Sequence, residues 1–375
     1  MTRPFLRFLL PTAVAAALVL SAPFVGQIRS AVRREFPGQY LLILAGAAAI
    51  GLAVALAAAV WRISDRKAQR YGAIALAILI AATYSLAMAT EFPERNAVER
   101  FHFLQYGLIT FLFYRAWRPL GDVSILVLPV LAGLIVGSVE EWFQWFIPNR
   151  VGEMNDVFLN LVAIVTGLLF SLGVDPPPRL AALAPGSRRR IVRLAIAALL
   201  TFAAFFHVVH LGSNVTDDEI GTFTSRFNAE RLLALQAGRA ATWASAPPPT
   251  TLVRLSREDQ YLSEGLEHVQ ARNELWTAGD VRRAWFENRI LEKYYAPVLD
   301  TPTHAGPGHR WDAVQRLDAE QRAGGPGGFV SEAYPYRLYA WPRLVFWTGV
   351  LLLIAAIRVA GRTLSGTDTP QLRAD

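Results

Sequence analysis

The chain has 375 residues, of which 53% are hydrophobic and only 18% charged, with a net charge of +7 and no cysteine. Soluble domains carry about 25% charged residues, so the apolar excess has to be concentrated in particular segments. The missing cysteines exclude a disulfide scaffold, a thiolate zinc centre and a cysteine nucleophile.

Eight apolar runs of 17–25 residues hold the excess, at 5–25, 41–61, 71–90, 102–118, 123–147, 157–173, 191–211 and 341–360. That length crosses a hydrocarbon core about 30 Å thick, and lipid offers the backbone no hydrogen bonds, so each run predicts a helix. Arg3 and Arg7 before the first run resemble the start of a signal peptide. Pro23 after Ser21-Ala22 disfavours cleavage there and predicts an uncleaved anchor. With the N-terminus in the cytoplasm, sixteen Lys and Arg of the membrane body fall inside and seven outside. The positive-inside rule therefore predicts that both termini are cytoplasmic.

One polar block, 212–340, interrupts the series. Its 17 acidic and 14 basic residues give it −3, leaving +10 for the remainder. It is expected to be an extracytoplasmic domain, mainly helical over 228–240 and 256–293. Pro247-Pro248-Pro249 separates those stretches, and 300–310 and 323–328 read as loops. The predicted fold class is an all-α polytopic membrane protein with a soluble domain tethered at both ends. Its parts are two N-terminal helices (1–70), a four-helix core (71–175), a seventh helix with a basic loop (176–211), the polar domain (212–340) and a last helix with its tail (341–375). The run Arg188-Arg189-Arg190 fits contact with anionic lipid. No nucleic-acid motif accompanies it, so no nucleic-acid partner is expected.

Polar residues at membrane depth are costly and mark candidate function. They gather at the outer ends of three runs: His102 and Tyr106 in the fourth, Glu140, Glu141 and Gln144 in the fifth, Asp156 and Asn160 in the sixth. His102 and Tyr106, Glu140 and Gln144, and Asp156 and Asn160 are each four apart and share a helix face. Arg150 lies in the hairpin between the fifth and sixth runs, just past Pro148. This is a set for proton transfer, for anion binding or for a hard divalent cation held by Glu140, Glu141 and Asp156.

H-x-x-x-Y (His102, Tyr106), E-x-x-Q (Glu141, Gln144), P-x-R (Pro148, Arg150) and D-x-x-x-N (Asp156, Asn160), with Gly167 following, resemble the motifs of the VanZ-like family over about 71–175. The chain departs from that pattern at Val98-Glu99, where the family often has an Asp-Lys pair, and at Ala163, where a glycine is usual. The resemblance implies a four-helix membrane core. It also implies a link to resistance against the lipoglycopeptide teicoplanin and, more remotely, a site similar to those of membrane enzymes that exchange phospholipid head groups. Those enzymes use a histidine and acidic residues, sometimes with a metal.

Other roles compete at each position. His102 also suits an interfacial histidine, Asp156 an N-cap, and Glu140 or Glu141 a structural pair with Arg150. Trp142, Phe143, Trp145 and Phe146 suit an interfacial aromatic belt. His207 and His210 before Asp217-Asp218-Glu219 are a candidate metal set, whereas His268, His304 and His309 show no full set of ligands. Two functions follow as expectations. In the first, His102, Glu141 and Asp156 are catalytic; Tyr106, Gln144, Arg150 and Asn160 bind a phospholipid or polyprenyl-linked head group at the outer leaflet. In the second, the same cluster binds a lipid or lipid-tailed antibiotic without turnover. Both place the protein in the cytoplasmic membrane of a bacterium.

Overall fold

A computed structural model describes residues 5–363 except 148–149, 151, 252–258, 326–327 and 335, and leaves aside the Arg95 side chain. The chain divides into two compact units. The first holds residues up to 144, 152–205 and from 347 onward; the second holds 145–151 and 206–346. The second unit is thus wider than the polar block 212–340 and takes in the end of the fifth run and the residues after it.

The helices of the first unit are α1 (Leu6–Glu35), α2 (Tyr40–Arg62), α3 (Lys67–Ala87), α4 (Pro93–Trp117), α5 (Ser124–Gln144), α6 (Met154–Val174), α7 (Pro185–Val209) and α13 (Arg343–Thr363), the last two ending or beginning in the second unit. Among the described residues seven are long and apolar enough to cross a membrane, not eight. The exception is α4, whose 25 residues include Glu94, Glu99, Arg100, His102, Gln105 and Arg115. Its place in the bundle explains part of this: α4 packs against α6, α5, α1, α2 and α3, where Glu94, Glu99, His102 and Gln105 are half-buried, while Arg100 and Arg115 stay exposed. By contrast α2 and α13 are exposed along most of their length.

Close approach of α4 and α6 depends on Gly107 and Gly167. A Cβ on Gly167 would lie 2.7 Å from the Gly107 Cα, so neither side chain nor backbone could stay in place. Near the far ends of these helices, the Arg70 guanidinium donates to the carbonyls of Gly173 (2.8 Å) and Val174 (2.5 Å), and Tyr114 Oη donates to the Asp175 carbonyl at 2.7 Å. These donors satisfy the last carbonyls of α6, which have no partner within the helix. Asp122 receives the Ser124 amide and hydroxyl at the start of α5. Burial raises its carboxyl, but hydrogen bonds from Ser124, Ser187 and Ala184 outweigh that and hold it below the usual value.

The second unit is not wholly helical. Strands β1 (Ser213–Asp217) and β2 (Gly221–Ser225) form an antiparallel hairpin, and β3 (Phe329–Val330) adds a short parallel pairing with β2. Around the sheet lie α8 (Ala229–Trp243), α9 (Gln260–Thr277), α10 (Val281–Tyr294), α11 (Ala296–Asp300) and α12 (Ala313–Ala323). The expected single stretch over 256–293 is two helices, because Asp280 caps α10 by accepting from the Arg283 amide. Residues 256–258 lie outside the described residues. The core joins Val215 and Phe223 of the sheet to Leu232, Tyr261, Val269, Ile290 and Tyr295 of the helices.

Candidate functional site

The site in the first unit is built outward from α4. His102 and Tyr106, one helical turn apart, hold their rings parallel with centroids 6.1 Å apart. His102 Nδ1 lies 2.6 Å from Asn160 Oδ1 on α6. Tyr106, fully buried, donates its hydroxyl to Glu140 Oε2 on α5 at 2.5 Å. Gln144 Nε2, one turn further along α5, donates to Glu141 Oε1 at 3.1 Å and more weakly to Glu140 Oε1 at 3.4 Å. Glu141 Oε2 accepts the Glu153 amide at 3.3 Å just before α6. Gly152 allows that approach: a Cβ there would fall 2.0 Å from the Glu141 carbonyl oxygen.

The structure therefore brings together His102, Tyr106, Glu140, Glu141, Gln144 and Asn160 from three helices. Asp156 lies in the first turn of α6, half-buried and within electrostatic reach of the Tyr106 and Tyr84 phenols. Tyr106 and Asn160, expected to contact substrate, form hydrogen bonds inside the protein, to Glu140 and His102. Arg150 belongs to the second unit, where its amide donates to the Ile147 carbonyl, and its side chain is half-buried. Pro148 lies outside the described residues.

A divalent cation at Glu140, Glu141 and Asp156, one of the three uses open to this set, finds no support in this arrangement. Among the described residues no three His, Asp or Glu side chains converge to hold a metal, and the two glutamates direct oxygens at Tyr106, Gln144 and the Glu153 amide. The same finding covers His207 and His210. His210 is buried with Nδ1 3.0 Å from the Arg337 carbonyl and its ring beside Phe206 and Tyr336. Asp217 is bound to Lys293, to Tyr294 Oη at 3.0 Å and to the amides of Glu219 and Ile220. In the segment expected to form an aromatic belt, Trp145 meets Phe146 edge-on and lies under the Arg226 guanidinium at 5.1 Å.

Sequence reasoning passed over two buried polar groups of the second unit. Glu264 accepts from Ser225 Oγ, Tyr295 Oη, Tyr334 Oη and the Arg226 amide at 2.6–3.1 Å. Burial raises its carboxyl even so, with those four donors opposing. His268 Nδ1 and Ser331 Oγ both meet the Glu287 carboxyl, at 2.7 and 2.5 Å. A signal existed: Tyr261, Glu264, His268 and Arg272 recur at helical spacing, placing polar groups on the buried stripe of α9.

No protein-family model matches the chain, and comparisons with curated proteins and with solved structures find no match.

Proposed function

We propose that this protein is a multi-pass membrane enzyme that cleaves or transfers a phosphoester in a lipid head group, using His102 as general base. The motifs resembling the VanZ-like family and the apolar helices support this reading. The observation that carries it is the 2.6 Å contact of His102 Nδ1 with Asn160 Oδ1. An amide oxygen only accepts, so the imidazole proton sits on Nδ1 and the lone pair on Nε2. In the reaction, Nε2 takes the proton of a water or alcohol whose oxygen attacks phosphorus. The bond from phosphorus to the departing alkoxide breaks, and the imidazolium returns the proton to it. Glu141 and Asp156 support the charge that forms on the ring, and Gln144 is assigned to the head group. The orientation is that of both termini in the cytoplasm of a bacterium, with the second unit outside.

The chain reconstituted with labelled phospholipids or a polyprenyl-linked intermediate tests this. His102→Ala is expected to lower turnover at least ~100-fold, and Glu141→Gln by less, with both variants folded as judged by thermal unfolding. Unchanged product formation in folded His102→Ala ends the catalytic reading. A second reading, lipid binding without turnover, is favoured by one observation: both oxygens of Glu141 are engaged within the protein, by Gln144 and by the Glu153 amide. Retained lipid binding with no product from the parent chain selects it.

A further inference from the structure

Beside His102, helices α3, α4 and α6 bring three aromatic rings together. Tyr84 of α3 meets Phe103 of α4 edge-on with ring centroids 6.3 Å apart, and Phe158 of α6 at a tilt with centroids 6.4 Å apart. All three reach the surface: Tyr84 and Phe103 are half-buried and Phe158 is 58% exposed. Other aromatic faces of this chain are covered by its own cations, as Phe111 is by Arg115 and Trp311 by Arg272. Among the described residues no arginine or lysine lies over Tyr84, Phe103 or Phe158.

Two carboxylates accompany the rings. Glu99 and Asp156 both act electrostatically on the Tyr84 phenol. Glu99 precedes His102 by three residues and Phe103 by four, which makes it a neighbour of both on α4. Asp156 also reaches the Tyr106 phenol, so it is shared by the rings and the His102 site. Aromatic faces and carboxylates both carry negative potential, which repels an anion and attracts a cation. A hard metal ion would need converging oxygen ligands, and no three His, Asp or Glu converge among the described residues. An organic ammonium uses both features, its charge against the acids and its alkyl groups against the rings.

We propose that Tyr84, Phe103 and Phe158, flanked by Glu99 and Asp156, bind the ammonium of a zwitterionic phospholipid head group. This rests on the proposed lipid-head-group reading and adds the substrate class. In such lipids the nitrogen is two carbons from the phosphoester oxygen, so an ammonium held by residues adjoining His102 keeps the phosphorus near that ring.

The full chain in phosphatidylglycerol nanodiscs tests this, with equal minor amounts of phosphatidylcholine and its dimethylbutyl isostere, in which carbon replaces the nitrogen. The two lipids share shape and phosphate, and only the first carries the positive charge. Phosphatidylcholine is expected to co-purify ~5- to 10-fold over the isostere. Tyr84→Leu should lower that preference at least ~3-fold, and Tyr84→Phe, which keeps the ring, should retain it. Phe158→Leu, at an exposed position, and Glu99→Gln should also lower it. Phosphatidylethanolamine in place of phosphatidylcholine separates the two head groups: equal preference assigns the charge alone, and a preference for phosphatidylcholine only assigns its methyl groups to the rings. Equal retention of phosphatidylcholine and isostere by the parent, or a preference that survives both Tyr84→Leu and Phe158→Leu, overturns the proposal. Selective retention without product removes catalysis and leaves the ammonium site standing; product without selectivity does the reverse.

Discussion

Glu140 in the helical body and Glu264 in the second unit are both buried, yet they are held in opposite ways. Glu264 receives four donors from three parts of the chain: the end of β2, the end of α10 and Tyr334. Glu140 meets one short tyrosine hydroxyl and, at 3.4 Å, an amide shared with Glu141. A carboxyl saturated from all sides fixes a fold, because removing it strands every donor at once. One held by a single strong bond beside a histidine retains capacity for something else. The contrast separates a structural acid from a site acid more sharply than burial does.

Truncating the two acids tests that separation directly. Glu264→Ala leaves two tyrosine hydroxyls, a serine hydroxyl and an amide without their acceptor, so about 3 kcal/mol or more of local stability should be lost. Hydrogen exchange of the α9 amides in the full chain measures it. Glu140→Gln keeps an oxygen for Tyr106 and should cost less than about 1 kcal/mol, while lowering turnover ~10-fold. Equal destabilisation by the two substitutions would erase the distinction.

How far the sequence foretold each region follows the same divide. In the body, His102, Glu141 and Asn160 stood out because lipid should have excluded them, and helical spacing set them on facing sides. Hydropathy overstated α4, whose charged residues are in part half-buried among its neighbours and in part exposed, as at Arg100 and Arg115. The close packing of Gly137 against Asn160 was invisible, since it depends on a neighbour far along the chain. In the second unit a charged residue is ordinary, so Glu264 was marked only by its spacing with Tyr261, His268 and Arg272 on α9, a faint signal against a polar background. Short β3 escaped because two residues carry no alternation to read. Its pairing with β2 spans more than a hundred residues.

Acids of the second unit should also titrate its stability in opposite senses. Asp217 is held below its ordinary value of 3.8: burial raises it, but Lys293, Tyr294 and turn amides outweigh that. Its contribution is therefore complete above 3.8 and lost as pH falls through the lower, folded value. Glu264 is raised above 4.5 by burial. The unfolded chain then releases that proton first, so stability declines as pH climbs from 4.5 to the raised folded value. Asp217→Asn should flatten the rise of a stability–pH curve on its acid side and Glu264→Gln the decline above pH 4.5, as read by exchange of α10 amides. A parent curve level from pH 3 to 7 would contradict both shifts.

The smallest effect is expected where geometry looks best. Arg310 grips Asp300 through Nε and Nη2 at 2.5 and 2.8 Å, a bidentate pair on the surface of the second unit. Both side chains are about half exposed, 46% and 55%, so water and salt screen what the fork gains and immobilising two long side chains offsets part of it. Arg310→Lys replaces the fork by a point charge and should change stability by about 0.5 kcal/mol or less, with the difference vanishing near 1 M salt. Urea unfolding of the full chain at low and high salt measures it. A salt-independent loss approaching that of Glu264→Ala would mean that the bidentate geometry itself, and not desolvation, decides what an acid contributes to this unit.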